Sequence, residues 1–238
     1  MKFKPYSYSK INTFSSCPRK FKFKYIDKIK EPHEGNHLSK GKLVHLFLEH
    51  QGDKAKIKAT KDFRELLPTL KENPEIMRES VKIYNNFKGS KLGKFIDSKI
   101  PMFNELAVGL DENMEIQEYD SDDIIFRGYI DKIVRDGDTL FLIDYKTGRY
   151  RPDMSWEQLL YYGVSLFSKM PSDKIVMMNV FVEHQKFNKE VLYRTDIKKY
   201  QKALMDKIEK IEMDKSFDKN ETALCDWCGY RGICSKES

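Results

Sequence analysis

Residues 124–148 read IIFRGYIDKIVRDGDTLFLIDYKTG. Two runs of β-branched and aromatic residues flank the turn-forming RDGD, the pattern of two adjacent strands. Asp131 and Asp144 each fall at the end of a predicted strand, and Lys146 follows Asp144 by two residues. Side chains at i and i+2 of a strand share a face, so Asp144 and Lys146 point together, and a neighbouring strand can bring Asp131 alongside. Two converging carboxylates suit a hard divalent cation such as Mg²⁺ or Mn²⁺. A lysine beside them can orient a water or stabilise charge developing on a phosphate.

Working outward, 103–109 (FNELAVG) and 114–119 extend the strands upstream into a β-meander. Downstream, WEQLLYYGVSLF predicts a helix with Asp153 or Ser155 as N-cap. A strand pair over 174–184 and 189–196 and a charged helix over 197–213 follow. Residues 1–98 have helical character. Ile11, Phe14, Phe21 and Tyr25 recur at near-helical spacing, with Pro18 breaking the pattern. EPHEGNH (31–37) predicts a loop and SKGKLVHLFLEH a helix. Pro68 and Pro74 are expected to divide the lysine-rich 53–98 into at least two helices. The fold class is therefore α/β, a sheet with helical additions. Three segments are expected to pack as one unit: 1–98, helical; 99–214, the core; and 215–238, a cysteine-bearing end.

The chain has 238 residues, 40% hydrophobic and 34% charged, with 43 basic against 37 acidic side chains and a net charge of +6. It is long enough to bury a real core, and the modest excess permits a basic groove for a polyanion without establishing one. There is no apolar signal-like stretch behind the first lysines and no run that could span a bilayer, so a cytoplasmic protein without membrane contact is expected. There, four cysteines are expected to be metal ligands or free thiols rather than disulfides. Cys17 lies in CPRKF; Cys225, Cys228 and Cys234 lie in CDWCGYRGIC. Four thiolates can complete an iron–sulfur cluster or a tetrahedral zinc site.

GYID at 128–131 and DYKTG at 144–148 resemble the second and third motifs of the PD-(D/E)XK nuclease superfamily, in its RecB-like branch. The resemblance implies a restriction-endonuclease-like fold, a mixed central sheet flanked by helices. Asp131 and Asp144 would bind metal, with the carbonyl of Tyr145 as a further ligand, and Lys146 would assist the attacking water. Gly41 and His45 in GKLVH fit the family's G-x-x-x-H, which makes His45 a metal ligand. Glu105 stands where the family often has another acidic residue. Gln158 and Tyr162, at Q-x-x-x-Y spacing, would hold the DNA backbone and the lysine, with Arg149 and Arg151 on phosphates. The four cysteines match, in order and spacing, the RecB-like nucleases that carry a 4Fe–4S cluster, with zinc as the alternative occupant. That implies an iron–sulfur clasp joining the two chain ends.

The implied function is a metal-dependent DNA exonuclease acting on single strands or duplex ends, in recombination, repair or end processing. No helicase P-loop occurs in the sequence, so either a stand-alone nuclease or one that borrows a partner's motor is expected, with a helicase, recombinase or integrase as the candidate partner. Two alternatives are a CRISPR spacer-precursor trimming nuclease and a non-catalytic DNA-binding adaptor on a nuclease fold.

Overall fold

A computed structural model describes residues 1–31 and 36–234; most of the loop expected over 31–37 lies outside them. Six strands form one mixed sheet in the order β2-β1-β3-β4-β5-β6: β1 Ile100–Leu110, β2 Ile116–Gln117, β3 Phe126–Asp136, β4 Thr139–Lys146, β5 Lys174–Phe181 and β6 Lys186–Tyr193. β4 and β5 run parallel, while β1–β2, β3–β4 and β5–β6 are antiparallel. The parallel pair requires a crossover, which helix α8 (Glu157–Lys169) supplies. The chain divides into two compact units, Gly35–Val108 with Tyr129–Ile197, and Met1–Glu34 with Gly109–Gly128 and Lys198–Ser238.

The first of these carries helices α3 Asn36–Glu49, α4 Lys54–Ala59, α5 Lys61–Glu72, α6 Glu75–Gly89 and α7 Lys91–Asp97. Strand β4 is buried along both faces, which explains why FLI reads as a continuous apolar run. Ile143 and Tyr145 pack with Val44 and Leu48 of α3, Phe87 of α6 and Ile96 of α7. Leu142, of the opposite parity, faces α8. There Gly163 removes the side chain that would stand 2.6 Å from Leu192 and 3.6 Å from Leu142. Asp144 and Lys146 share the parity of Leu142.

Pro68 does not divide 53–98: it lies inside α5. Burial of Phe63, Leu66 and Leu70 against Leu43 and Phe47 outweighs the lost backbone bond. Pro74 does separate α5 from α6, and Thr60 and Ser90 cap α5 and α7. The residue at the N-cap of α8 is Trp156, not Asp153 or Ser155, although the Ser155 hydroxyl accepts from Glu157 N–H at 3.3 Å.

Gly93 is a sequence-silent constraint. A Cβ there would stand 2.1 Å from the Phe87 carbonyl oxygen, a backbone atom that ends α6 and cannot rotate away. Gly93→Ala is expected to destabilise the protein by about 3 kcal/mol as α7 is forced off α6, measured as a lower denaturation midpoint at unchanged slope. A neutral result would mean that the α6–α7 corner yields.

The second unit contains both ends of the described chain: α1 Tyr8–Ser16, α2 Pro18–Phe21, a π-helical turn Lys22–Ile26, α9 Ile197–Met213, a 3₁₀ turn Ala223–Trp227 and α10 Arg231–Cys234. Phe217 sets its ring against Phe3, Phe14 and Phe21, and Phe23 packs on Tyr230. Glu212 ties down the first residues, accepting from Lys2 N–H at 2.8 Å, Phe3 N–H at 3.1 Å and the Tyr6 hydroxyl at 2.7 Å. Burial alone would raise its pKa, but these donors hold it below the ordinary 4.5. A depressed carboxyl contributes stability above its unfolded pKa and loses it as pH falls through the folded one. The stability gap between wild type and Glu212→Gln is therefore expected to close below pH 4.5; a gap constant with pH would contradict this anchoring. Among the described residues no helix is long and apolar enough to cross a membrane.

Candidate active site and cysteine cavity

The catalytic-type residues meet at the carboxyl end of β4. The β3–β4 ladder runs from Asp136–Thr139 to Lys132–Ile143, so Asp131 is not at a strand end as expected. It sits within β3, one residue past that ladder. Its Oδ2 accepts from the Tyr145 N–H at 2.6 Å, and its Oδ1 lies 3.5 Å from His45 Nδ1. Strand β4 continues alongside β5, pairing Asp144 with Asn179 and Lys146 with Phe181.

His45 arrives on α3 because Gly41, one turn earlier, leaves room for the chain after β4. A Cβ on Gly41 would lie 3.0 Å from Thr147 Oγ1. The G-x-x-x-H spacing thus has a steric reason: the glycine lets the helix approach the DYKTG turn and the histidine reach Asp131. Gly41→Val is expected to push α3 back and separate His45 from Asp131, costing about 1–3 kcal/mol of stability. Retention of wild-type stability and cleavage would refute this steric role.

Asp144 is only 4% exposed. Its Oδ2 is in ion contact with Lys146 Nζ but has no hydrogen bond of proper alignment. Lys146 Nζ donates to Gln158 Oε1 at 2.9 Å, which holds the ammonium at the mouth of the site. Burial raises the Asp144 carboxyl to about 6, with Lys146 opposing and Asp131 adding to the rise. Burial would lower His45, yet the charge and hydrogen bond of Asp131, with Asp144 and Glu105 behind it, raise it to about 9. Glu105 is raised to about 7, by burial first and then by Asp131 and Glu49. A site that crowds negative charge and recruits protons to relieve it is electrostatically suited to a cation.

A cleft of about 440 Å³ is lined by His45, Asp131, Asp144, Lys146, Arg149, Arg151 and Gln158, among others. Tyr145 also lines it, with its ring packed on Phe87. Arg149 and Arg151 are exposed at the rim. Tyr162 is buried in α8 and Glu105 lies on β1; neither lines the cleft. Glu105 has a left-handed backbone, φ 55°, which is uncommon for a non-glycine residue inside a strand.

Sequence reasoning missed Asn179. It is 2% exposed, in register with Asp144, and its Nδ2 has no hydrogen-bond partner. A lone polar residue in the apolar run IVMMNVF was the available signal. Among the described residues no three His, Cys, Asp or Glu side chains are drawn together closely enough to hold an ion as they stand. The donor set nevertheless fits a hard cation: two carboxylates and an imidazole line one cleft, and the buried Asp144 Oδ2 is held only by the Lys146 ammonium.

The sequence from 5 to 235 matches the profile of the PD-(D/E)XK nuclease superfamily. The chain belongs to this superfamily. Its members are nucleases that typically use Mg²⁺ or Mn²⁺ on nucleic-acid substrates. No curated protein matches the chain. A solved structure described as "Crystal structure of SSO0001" is similar at 15% identity and TM-score 0.36, covering 96% of this chain and 85% of that one.

In the other unit, all four cysteines line one cavity of about 270 Å³. Cys17 lies between α1 and α2 in an extended conformation, φ −162° and ψ 108°. Pro18 imposes this break, because it disfavours helix in the residue before it and suits the first helical position after it. The Cys17 Sγ accepts from Asn220 N–H and the Cys225 Sγ from Thr222 N–H, each at 3.5 Å. Burial and then the neighbouring Cys17 raise the Cys234 thiol, while Arg19 and Lys219 oppose. None of the four is in a disulfide.

Proposed function

We propose that this superfamily member is a metal-dependent DNA exonuclease of the RecB-like branch, working in recombination, repair or end processing. The observation that carries the reading is the approach of His45, Asp131, Asp144 and Lys146 to one cleft, with Gln158 bonded to the lysine. Asp131, Asp144, the Tyr145 carbonyl and His45 would hold Mg²⁺ or Mn²⁺. When bound, such an ion supplies Lewis-acid stabilisation of phosphate charge and a more acidic water.

The chain's own residues do the rest. Gln158 steers the Lys146 ammonium to the cleft, where it orients the attacking water and offsets charge building on the phosphate. Tyr145 N–H fixes the Asp131 carboxylate, and His45 must be neutral to donate a lone pair. Arg149 and Arg151 at the rim seat flanking phosphates through paired N–H bonds. Glu105 contributes a further acid beside Asp131, and Tyr162 supports α8 beneath Gln158.

The cysteine cavity is assigned a 4Fe–4S cluster. Four thiols of one cavity and N–H donors to two sulfurs support that assignment, since such bonds accompany cluster sulfurs and tune them.

The test compares linear with circular single-stranded DNA of one sequence in Mn²⁺. Progressive shortening of the linear form with the circle left intact is expected. Nicking of the circle would make the enzyme an endonuclease, and no cutting of either form or of a blunt linear duplex of the same sequence would remove the nuclease assignment.

A further inference from the structure

Positive charge is distributed very unevenly along the chain. Residues 1–31 contain nine Lys or Arg against two Asp or Glu, a net +7, whereas the whole chain is +6, so residues 32–238 sum to −1. The basic residues cluster in RKFKFKYIDKIK (19–30), interleaved with aromatics. Phe21 and Phe23 are buried, Lys20 and Lys22 are half-buried and Lys24 is exposed. Lys20 and Lys22 are paired with Glu31 and Asp27. Lys24, Lys28 and Lys30 are exposed and have no acidic partner among the described residues. They follow or lie in the π-helical turn, a distortion that often marks a functional site.

The same unit displays Trp227 at 79% and Leu224 at 71% exposure on the 3₁₀ turn 223–227. An indole buries some 150–250 Å² when covered, worth several kcal/mol at about 25 cal/mol per Å². Its turn is fixed rather than loose: Thr222 caps it, and Cys225 and Cys228 on either side line the cysteine cavity. The segment after the turn is tied to the basic stretch: the Tyr230 hydroxyl donates to the Ile29 carbonyl at 2.9 Å and its ring packs on Phe23, while Lys20, Lys219 and Arg231 are paired with Glu31, Glu221 and Asp226.

We infer that this unit carries a second nucleic-acid contact surface, separate from the cleft. Lys24, Lys28 and Lys30 hold the phosphates of a single strand, and Trp227 stacks on one of its bases. Polyanion charge favours this occupant over an apolar protein partner, and a free π-face accepts any base. The inference rests on the nuclease reading only for the identity of the polyanion.

The test is fluorescence anisotropy of the full chain with a 5′-fluorescein single strand of about 20 nucleotides, across a salt series, in buffer without divalent cations. Because nothing is cut, the result is independent of whether the cleft proves catalytic. Charge reversal at all three lysines, Lys→Glu, is expected to weaken binding at least about thirtyfold. It should also lower the slope of log K against log salt by about 2, at roughly 0.7 per lost single-strand contact. The Lys→Arg triple variant should retain both. Trp227→Ala is expected to weaken binding about tenfold with the slope unchanged, Trp227→Tyr to restore it, and a blunt duplex to be indifferent to either. Parental affinity and slope in the lysine variant would overturn the surface. Parental affinity in Trp227→Ala, or an equal loss on duplex, would overturn the stacking.

Discussion

Asp144→Asn is expected to lower DNA cleavage by more than about a thousandfold, roughly 4 kcal/mol at 1.36 kcal/mol per tenfold, while leaving the fold intact. The amide keeps the volume of the side chain but removes a buried carboxylate whose Oδ2 is held only by the Lys146 ammonium. Stability should change little, because two effects oppose one another. Losing the contact with Lys146 removes an ion pair, and removing one partner of a fully buried pair can cost 3–5 kcal/mol. Lys146, however, keeps its bond to Gln158 and is about one-fifth exposed, so its charge remains solvated. Burial also penalises the Asp144 charge, as its raised pKa of about 6 records, and the amide is spared that cost. We therefore expect a stability change within about 1–2 kcal/mol, measured by denaturant titration beside the cleavage assay. Loss of both activity and stability would make Asp144 a packing residue instead.

Cys17→Ser is expected to remove bound iron, from roughly four atoms per chain to none, and to lower Tm by about 10–20 °C. The substitution is informative because Cys17 is the N-cap of α2 without making a side-chain cap bond. Serine is among the best N-cap residues, so helix energetics alone predict no loss. A large drop would therefore support the proposed clasp. Tying Cys17 to Cys225 closes a loop of roughly two hundred residues, which chain entropy values at about 5 kcal/mol. For a chain of this size each kcal/mol moves Tm by about 2–4 °C. Anaerobic purification followed by iron and zinc analysis distinguishes the outcomes. Zinc in place of iron in the parent would change the occupant, and an unchanged Tm with metal-free parent would remove the clasp.

Much of this fold is legible in local chemistry. The turn-forming RDGD and the β-branched and aromatic runs on either side of it located β3 and β4. Parity put Asp144 and Lys146 on one face. What failed to show depends on contacts distant in sequence. Pro68 reads as a breaker, yet tertiary burial of Leu66 and Leu70 carries the helix through it. Asp131 reads as a strand end because nothing local reveals where the β3–β4 ladder stops. Asn179 matters only through its register with Asp144, and Gly93 only through a carbonyl of the preceding helix. The spacing of Gly41 and His45 was visible, but its cause, the side chain of Thr147, was not.

The central claim is that the cleft around Asp131, Asp144 and Lys146 hydrolyses DNA with a divalent cation. It is tested most directly by incubating the purified chain with end-labelled single-stranded and blunt duplex DNA in Mn²⁺, beside a chelated sample and the Asp144→Asn variant. Cleavage by the parent in Mn²⁺ alone, absent from both controls, is the expected result. Equal cleavage in all three samples, or none in the parent, would contradict it.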